Sequence, residues 1–232
     1  AIEFFDSRAL DLLRSQKENN PGFADFPVLP DGRLTACYLE FHGIKESVMD
    51  DALAATVDLI TASGGNADMA WSASEPSELR RLKTFRHAVP ESVNMLIDQR
   101  RKTEPRLSKL GTDLAVPDNS WADIVALYHA GLDPLALEYV MFGHAGNSHL
   151  HINIIPRTLA EYETGRNLYL QWASEVVRLG GSVSAEHGIG KLKTALLAEM
   201  YGPAGIREMA ALKSAFDPDW MLNPGNLFQK PS

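Results

Sequence analysis

Phe142-Gly143-His144-Ala145-Gly146-Asn147-Ser148-His149-Leu150-His151-Ile152-Asn153 is the stretch from which the rest of the chain is best approached. Three of its twelve residues are histidine, in a chain with seven. Glycines and an Asn-Ser pair supply a tight turn. Apolar residues flank that turn: Tyr139, Val140, Met141 and Phe142 before it, Ile152, Ile154 and Ile155 after it. This is the signature of a β-hairpin. Residues two apart in a strand share a face, so His149, His151 and Asn153 project together, with His144 on the opposite arm. Converging imidazoles at a hairpin mouth suit a borderline divalent metal.

A second stretch, Ser182-Val183-Ser184-Ala185-Glu186-His187-Gly188-Ile189-Gly190, sets a carboxylate beside another imidazole. Two histidines and one carboxylate leave positions open on a metal, the form of a catalytic rather than a closed structural site.

Composition narrows the classes. The chain has 232 residues, with 45% hydrophobic and 22% charged content, ordinary for a globular protein of one large or two small domains. A net charge of −8 argues against a nucleic-acid partner. Cys37 is the single cysteine, so no internal disulfide framework forms. There is no signal-peptide pattern and no apolar run near the ~20 residues of a membrane span. The expected compartment is cytoplasmic. The chain opens inside an apolar pattern, Ile2-Glu3-Phe4-Phe5, as expected of a segment from a longer protein. Neither a G-x-G-x-x-G after a strand nor a P-loop is present.

Along the chain, Asp6 to Arg14 reads as a short helix capped by Asp6 or Ser7. Asn19 to Gly32, with Pro21, Pro27 and Pro30, reads as a loop. Leu34 to Phe41 is a strand, Ser47 to Ala62 a helix ended by Gly64-Gly65, and Ala67 to Ser72 a second strand. That order is the opening of a ferredoxin-like unit. Pro76 to His87 is a helix interrupted at Pro90, and Leu110 to Val116 is a strand stopped by Pro117. Trp121 to Ala130 is a helix. After the hairpin come a long helix, Leu159 to Leu179, and two more, Lys191 to Tyr201 and Pro203 to Phe216. The class is α+β: an antiparallel sheet with ferredoxin-like strand-helix-strand units covered by helices, and a helical C-terminal segment.

The two histidine motifs resemble the C-terminal half of FAD-linked oxidases of the vanillyl-alcohol oxidase superfamily. The similarity lies with the D-2-hydroxy-acid branch that holds glycolate oxidase, D-lactate dehydrogenase and D-2-hydroxyglutarate dehydrogenase. The family pattern is roughly G-H-x-G-D-G-N-x-H-x-N, then S-x-x-E-H-G-x-G, then N-P-G. This chain has G-H-A-G-N-S-H-L-H-I-N, then S-V-S-A-E-H-G-I-G, then Asn223-Pro224-Gly225. The resemblance covers about Phe4 to Phe228. It implies metal ligands at His144, His151 and Glu186, a catalytic base at His187 and a substrate contact at Asn153. It also implies a substrate-carboxylate clamp at Arg86, at the end of Leu82-Lys83-Thr84-Phe85-Arg86. Many relatives carry Lys where Asn226 stands, which is assigned to the cofactor. A later family stretch has Lys two residues before Asp. Here Gly111 holds that place before Asp113, and Lys109, two positions earlier, is taken as the substrate-binding lysine. Asn147 stands where the family usually has Asp, and His149 where it usually has Asn.

The resemblance further implies one FAD-linked oxidase C-terminal domain over residues 1–232. Its cap part spans about 1–190 and its helical part about 191–232. The N-terminal FAD-binding domain, absent from this chain, is its expected partner. The expected reaction is oxidation of a D-2-hydroxy acid to the 2-oxo acid. FAD takes the hydride, and a divalent metal (Zn, Mn or Fe) holds the substrate. The isolated chain is expected to be inert. A homodimer and an electron-acceptor protein are further expected partners. Two other classes stay open on the residues alone: a flavin-independent metal-dependent hydrolase or lyase, and a non-catalytic module with a structural metal.

Overall fold

A computed structural model describes residues 1–232 except 27, 28, 30, 31, 33, 231 and 232. Pro27 and Pro30 of the expected loop lie outside the described residues. The chain divides into two compact units: residues 1–96 with 140–146, and residues 97–139 with 147–232. The class is α+β, as expected.

The first unit opens with strand β1 (Ile2–Phe5), helix α1 (Ser7–Asn19), strand β2 (Ala36–Leu39) and helix α2 (Glu46–Ala62). Helix α3 (Pro76–Arg101) then carries the chain into the second unit. Strand β4 (Tyr139–His144) returns to the first unit, whose strands lie in the order β2-β1-β4, all antiparallel. β1 alternates as a half-buried strand should, and its inward phase holds Glu3 and Phe5. Asp6 ends it and caps α1, its carboxylate accepting from the Ala9 amide at 2.7 Å. The core is aromatic. Phe85 of α3 lies 5.7 Å from Phe5, 5.8 Å from Phe26 and 5.9 Å from Trp71, ring centre to ring centre.

Two expectations are corrected here. Ala67 to Ser72 is not a strand, since residues Ala67–Met69 form a 3-10 turn. The Asn66 side chain accepts from the Asp68 amide at 2.9 Å and curls the chain, and Trp71 packs on Phe85. The strand-helix-strand opening is instead β1-α1-β2, with β1 and β2 paired antiparallel. The helix entered at Pro76 also does not stop at Pro90. A proline inside a helix costs about 3 kcal/mol. Ala88, Val89 and Val93, all fully buried around it, offset that cost by the apolar surface they bury.

The second unit contains strand β3 (Leu110–Gly111), helix α4 (Trp121–Leu132), strand β5 (His149–Ile154), helix α5 (Leu159–Arg178) and helix α6 (Thr194–Phe216). β3 pairs antiparallel with β5, Leu110 opposite Ile154 and Gly111 opposite Asn153. Every residue of β5 is buried. Trp172 of α5 packs edge-on to Tyr128 of α4 at 4.9 Å, and Leu114, Ile124, Leu132, Ile152 and Val176 of the same unit are buried. The two expected C-terminal helices are one helical stretch broken at Gly202, whose φ of 66° and ψ of 176° are not helical. Beyond them Leu197, Ala210, Trp220 and Phe228 form a separate small core. No described helix is long and apolar enough to cross a membrane.

Gly181 decides where the chain after α5 runs. A side-chain carbon there would lie 2.2 Å from the Ala115 carbonyl oxygen and 2.7 Å from Val176 Cγ1. With only hydrogen at that place, Ser182 exchanges both backbone hydrogen bonds with Ala115, at 2.8 and 3.0 Å. Gly181→Ala is therefore expected to destabilise the second unit by about 2 kcal/mol, as overpacking does. Thermal unfolding followed by circular dichroism should show a Tm lower by ~4–8 °C.

Candidate functional site

The segment from Leu110 to Val116 runs along β5 in a single register, from Leu110 opposite Ile154 to a bridge between Ala115 and His149. Its ladder is regular for only two residues because Thr112 is diverted. The Thr112 amide donates to Ile152 O at 2.9 Å, as a strand residue would. Its carbonyl oxygen instead faces His151 Nδ1 at 3.0 Å, and its hydroxyl accepts from the Ile152 amide at 2.9 Å. The strand has given one rung to a histidine. That contact assigns the proton to His151 Nδ1 and turns Nε2 outward as a lone-pair donor.

Asp113 follows, with no exposed surface. Its carboxylate accepts from Lys193 Nζ at 2.8 Å and the Ser184 hydroxyl at 2.7 Å. It also accepts from the backbone amides of Glu186 and His187 at 3.1 and 3.0 Å. The Asp113 carbonyl accepts from the Ala185 amide at 3.0 Å. Burial alone raises a carboxyl pKa, but these donors outweigh it and hold Asp113 well below the usual carboxylate range. The loop Ser184–Gly188 has no regular structure, so Asp113 is what shapes it. Tyr169 on α5 is pushed up to about 12 by burial and by the Asp113 charge.

The second unit holds most of the expected site residues. His149, His151 and Glu186 each offer a ligand atom within 4.8 Å of the others. The rings of His149 and His151 lie 4.3 Å apart. His187, 63% exposed, stacks on His151 at 5.6 Å with the planes 15° apart. Asn153 is buried on the same strand, against Gly111. Lys109 lies just before β3, and burial lowers its pKa. Asn226 sits in the C-terminal turn, its amide donating to Asn223 O at 3.1 Å. The next amide, of Leu227, reaches Gly190 O at 2.9 Å. Two buried imidazoles, one of them held through Nδ1, beside a half-exposed carboxylate are a donor set that fits a divalent metal.

His144 and Arg86 belong to the first unit. The register of β1 on β4 sets Glu3 directly opposite His144. His144 Nδ1 lies 2.8 Å from Glu3 Oε2, and Arg86 donates to Glu3 Oε1. The Arg86 guanidinium also lies 5.8 Å from the Tyr38 ring centre. Glu3 and the anchoring role of Asp113 were not anticipated. For Glu3 the signal was available: a carboxylate in the inward phase of an otherwise apolar strand.

Asp113→Asn is expected to destabilise the chain by about 3 kcal/mol at neutral pH, because it leaves Lys193 without its buried counter-charge. The folded-state pKa of Asp113 is depressed. Its stabilisation is thus complete above the unfolded value of about 4 and is lost as pH falls through the folded one. Denaturant titrations of both proteins should show a constant gap above about pH 5 that narrows below pH 4. A gap that widened on acidification would contradict the assignment.

Residues 1–227 match the family described as FAD linked oxidases, C-terminal domain. The chain is 29% identical over 230 residues to a probable mitochondrial D-lactate dehydrogenase of Danio rerio, covering 98% of this chain and 42% of that protein. It is 31% identical over 232 residues to a D-2-hydroxyglutarate dehydrogenase of Stutzerimonas stutzeri, covering 98% of this chain and 46% of that protein. Over 147 residues it is 31% identical to the glycolate oxidase subunit GlcD of Bacillus subtilis, covering 60% of this chain and 31% of that one. It thus spans less than half the length of these curated relatives. The histidine motifs and the match over nearly all of its length place the chain in the family of FAD-linked oxidase C-terminal domains.

Proposed function

We propose that this chain is the substrate- and metal-binding half of a flavin-dependent dehydrogenase or oxidase that converts a D-2-hydroxy acid to its 2-oxo acid. The observation that carries the proposal is the His151 arrangement. Its Nδ1 is held by the Thr112 carbonyl, Glu186 lies within ligand reach, and His187 is stacked against its ring. The names of the relatives, D-lactate and D-2-hydroxyglutarate dehydrogenase, support the substrate class.

His144, His151 and Glu186 are the residues that hold the metal. His144 closes β4 and His149 opens β5, so the same short turn carries both arms of the hairpin. When bound, the metal polarises the substrate hydroxyl and FAD, held mainly by a separate N-terminal domain, supplies the hydride acceptor. The rest is work for the chain's own side chains. His187 accepts the hydroxyl proton. Its exposure gives it access to substrate, and its backbone amide, bonded to Asp113, fixes its place. Arg86 binds the substrate carboxylate. One guanidinium nitrogen engages Glu3, and the fork geometry leaves further donors for a second carboxylate. Asn153 and Lys109 contact the substrate, and Asn226 the flavin.

Metal analysis of the purified chain tests the centre of this proposal. One divalent ion per chain is expected, lost in His151→Ala, and equal metal content in both proteins would overturn the assignment. In a flavin-loaded enzyme bearing this chain, His187→Ala should lower kcat by ~10²–10⁴-fold with metal retained. Arg86→Ala should raise KM for the hydroxy acid by about tenfold to a hundredfold, the worth of a charge-assisted hydrogen bond. Unchanged kinetics would leave Arg86 as only the partner of Glu3.

A further inference from the structure

His149 is the one histidine of the hairpin that the proposed function leaves without a task, and it is the most buried of them, at 1% exposure. A buried imidazole in this place needs a physical reason. Its Nε2 lies 3.2 Å from Asp113 Oδ1, an electrostatic contact off the line of a hydrogen bond. Its Nδ1 lies 3.9 Å from Glu186 Oε1, on the side where His151 and Glu186 present their ligand atoms. Asp113 is an ionised, fully buried carboxylate pinned by Lys193, Ser184 and two amides, so it cannot turn away. The ring is therefore set between a fixed carboxylate on its Nε2 side and Glu186 on its Nδ1 side. A carboxylate behind one imidazole nitrogen and a ligand cluster before the other is the arrangement that orients metal-binding histidines.

From this geometry we infer that His149 is an additional inner-sphere ligand of the metal, bound through Nδ1 and oriented by Asp113. The inference rests on the proposed metal site and goes beyond its ligand set. It adds an imidazole where the family pattern usually carries Asn, whose amide is a much weaker ligand for borderline metals. Its chemical consequence is selectivity. Imidazole suits zinc, whereas carboxylate and carbonyl oxygens suit manganese. A third imidazole therefore shifts this site toward zinc and takes up one coordination position that a three-ligand site leaves open, so that the substrate hydroxyl would enter as a fifth ligand.

The test uses the full 232-residue chain and zinc or manganese alone, with affinities measured by competition against a chromophoric chelator. X-ray absorption at the zinc edge of the unsubstituted protein should show three imidazoles in the first shell, a count that needs no variant to fold. His149→Asn should weaken zinc binding by at least tenfold to a hundredfold, the range found when even an outer partner of a ligand is removed. It should weaken manganese binding much less and leave two imidazoles. His149→Gln should behave alike, and circular dichroism of the metal-free proteins checks that both remain folded. Two imidazoles in the unsubstituted protein, or zinc binding unchanged in a folded His149→Asn, would overturn the ligand role while the metal site itself stands. His149 would then be a buried imidazole lying between two carboxylates. No zinc bound by the unsubstituted protein, with His151→Ala indistinguishable from it, would overturn both readings together.

Discussion

A single buried carboxylate holds the candidate site together. Asp113 sits beside β5, yet what it organises is a loop some seventy residues further along, which it grips through Lys193, Ser184 and the amides of Glu186 and His187. Burying an ion is costly unless its lone pairs are filled, and here four donors fill them. The converse also holds. Without that anion, Ser184–Gly188 has neither helix nor strand to fix it, and Lys193 would be largely buried without a partner. The position of Glu186 and His187 is therefore an electrostatic property of the second unit more than a property of the loop itself.

The same device recurs across the histidines. His144 has Glu3 at 2.8 Å, His149 has Asp113 at 3.2 Å, and His151 has the Thr112 carbonyl at 3.0 Å. Each imidazole thus has an oxygen beside one nitrogen, which helps to orient the ring before any ligand arrives. Preorganisation of this kind explains why charged residues occupy inward positions of β1 and the β3 segment, where apolar packing alone would place valine or leucine.

Much of this was legible in the residues. The hairpin followed from turn chemistry between apolar arms, and the long helices followed from their periodicity. Gly202-Pro203 was enough to mark the break in α6. The alternation of His149 and His151 along one strand, and the carboxylate-imidazole pair Glu186-His187 in a second motif, were recognisable from the residues. What escaped was whatever depends on contacts distant in sequence. Pro90 looked like a helix stop because the burial of Val89 and Val93 was not visible locally. Asn66 had no mark showing that its side chain would cap a turn in place of a strand. A strand was expected over Leu110 to Val116, and the segment does run along β5, but only Leu110–Gly111 is regular strand because Thr112 breaks the ladder by turning its carbonyl to His151. No local pattern announces such a diversion, because its cause lies nearly forty residues away. Asp113 was seen only as a family marker, since a carboxylate gives no sign in sequence of the donors it will meet.

Helix α2 differs from every other long element: none of its seventeen residues is buried. Val48, Leu53, Val57 and Leu59 are all exposed. A helix of this length with at most partly buried residues is close to the limit at which isolated helices persist in water. It therefore belongs to the weakest part of the protein, where amide hydrogens exchange through local fraying while the core stays closed. Covering those side chains would release about 25 cal/mol for each Å² of apolar surface removed from water. For α2, ordering and covering are then one thermodynamic event, and its helicity becomes a gauge of whether those side chains are covered.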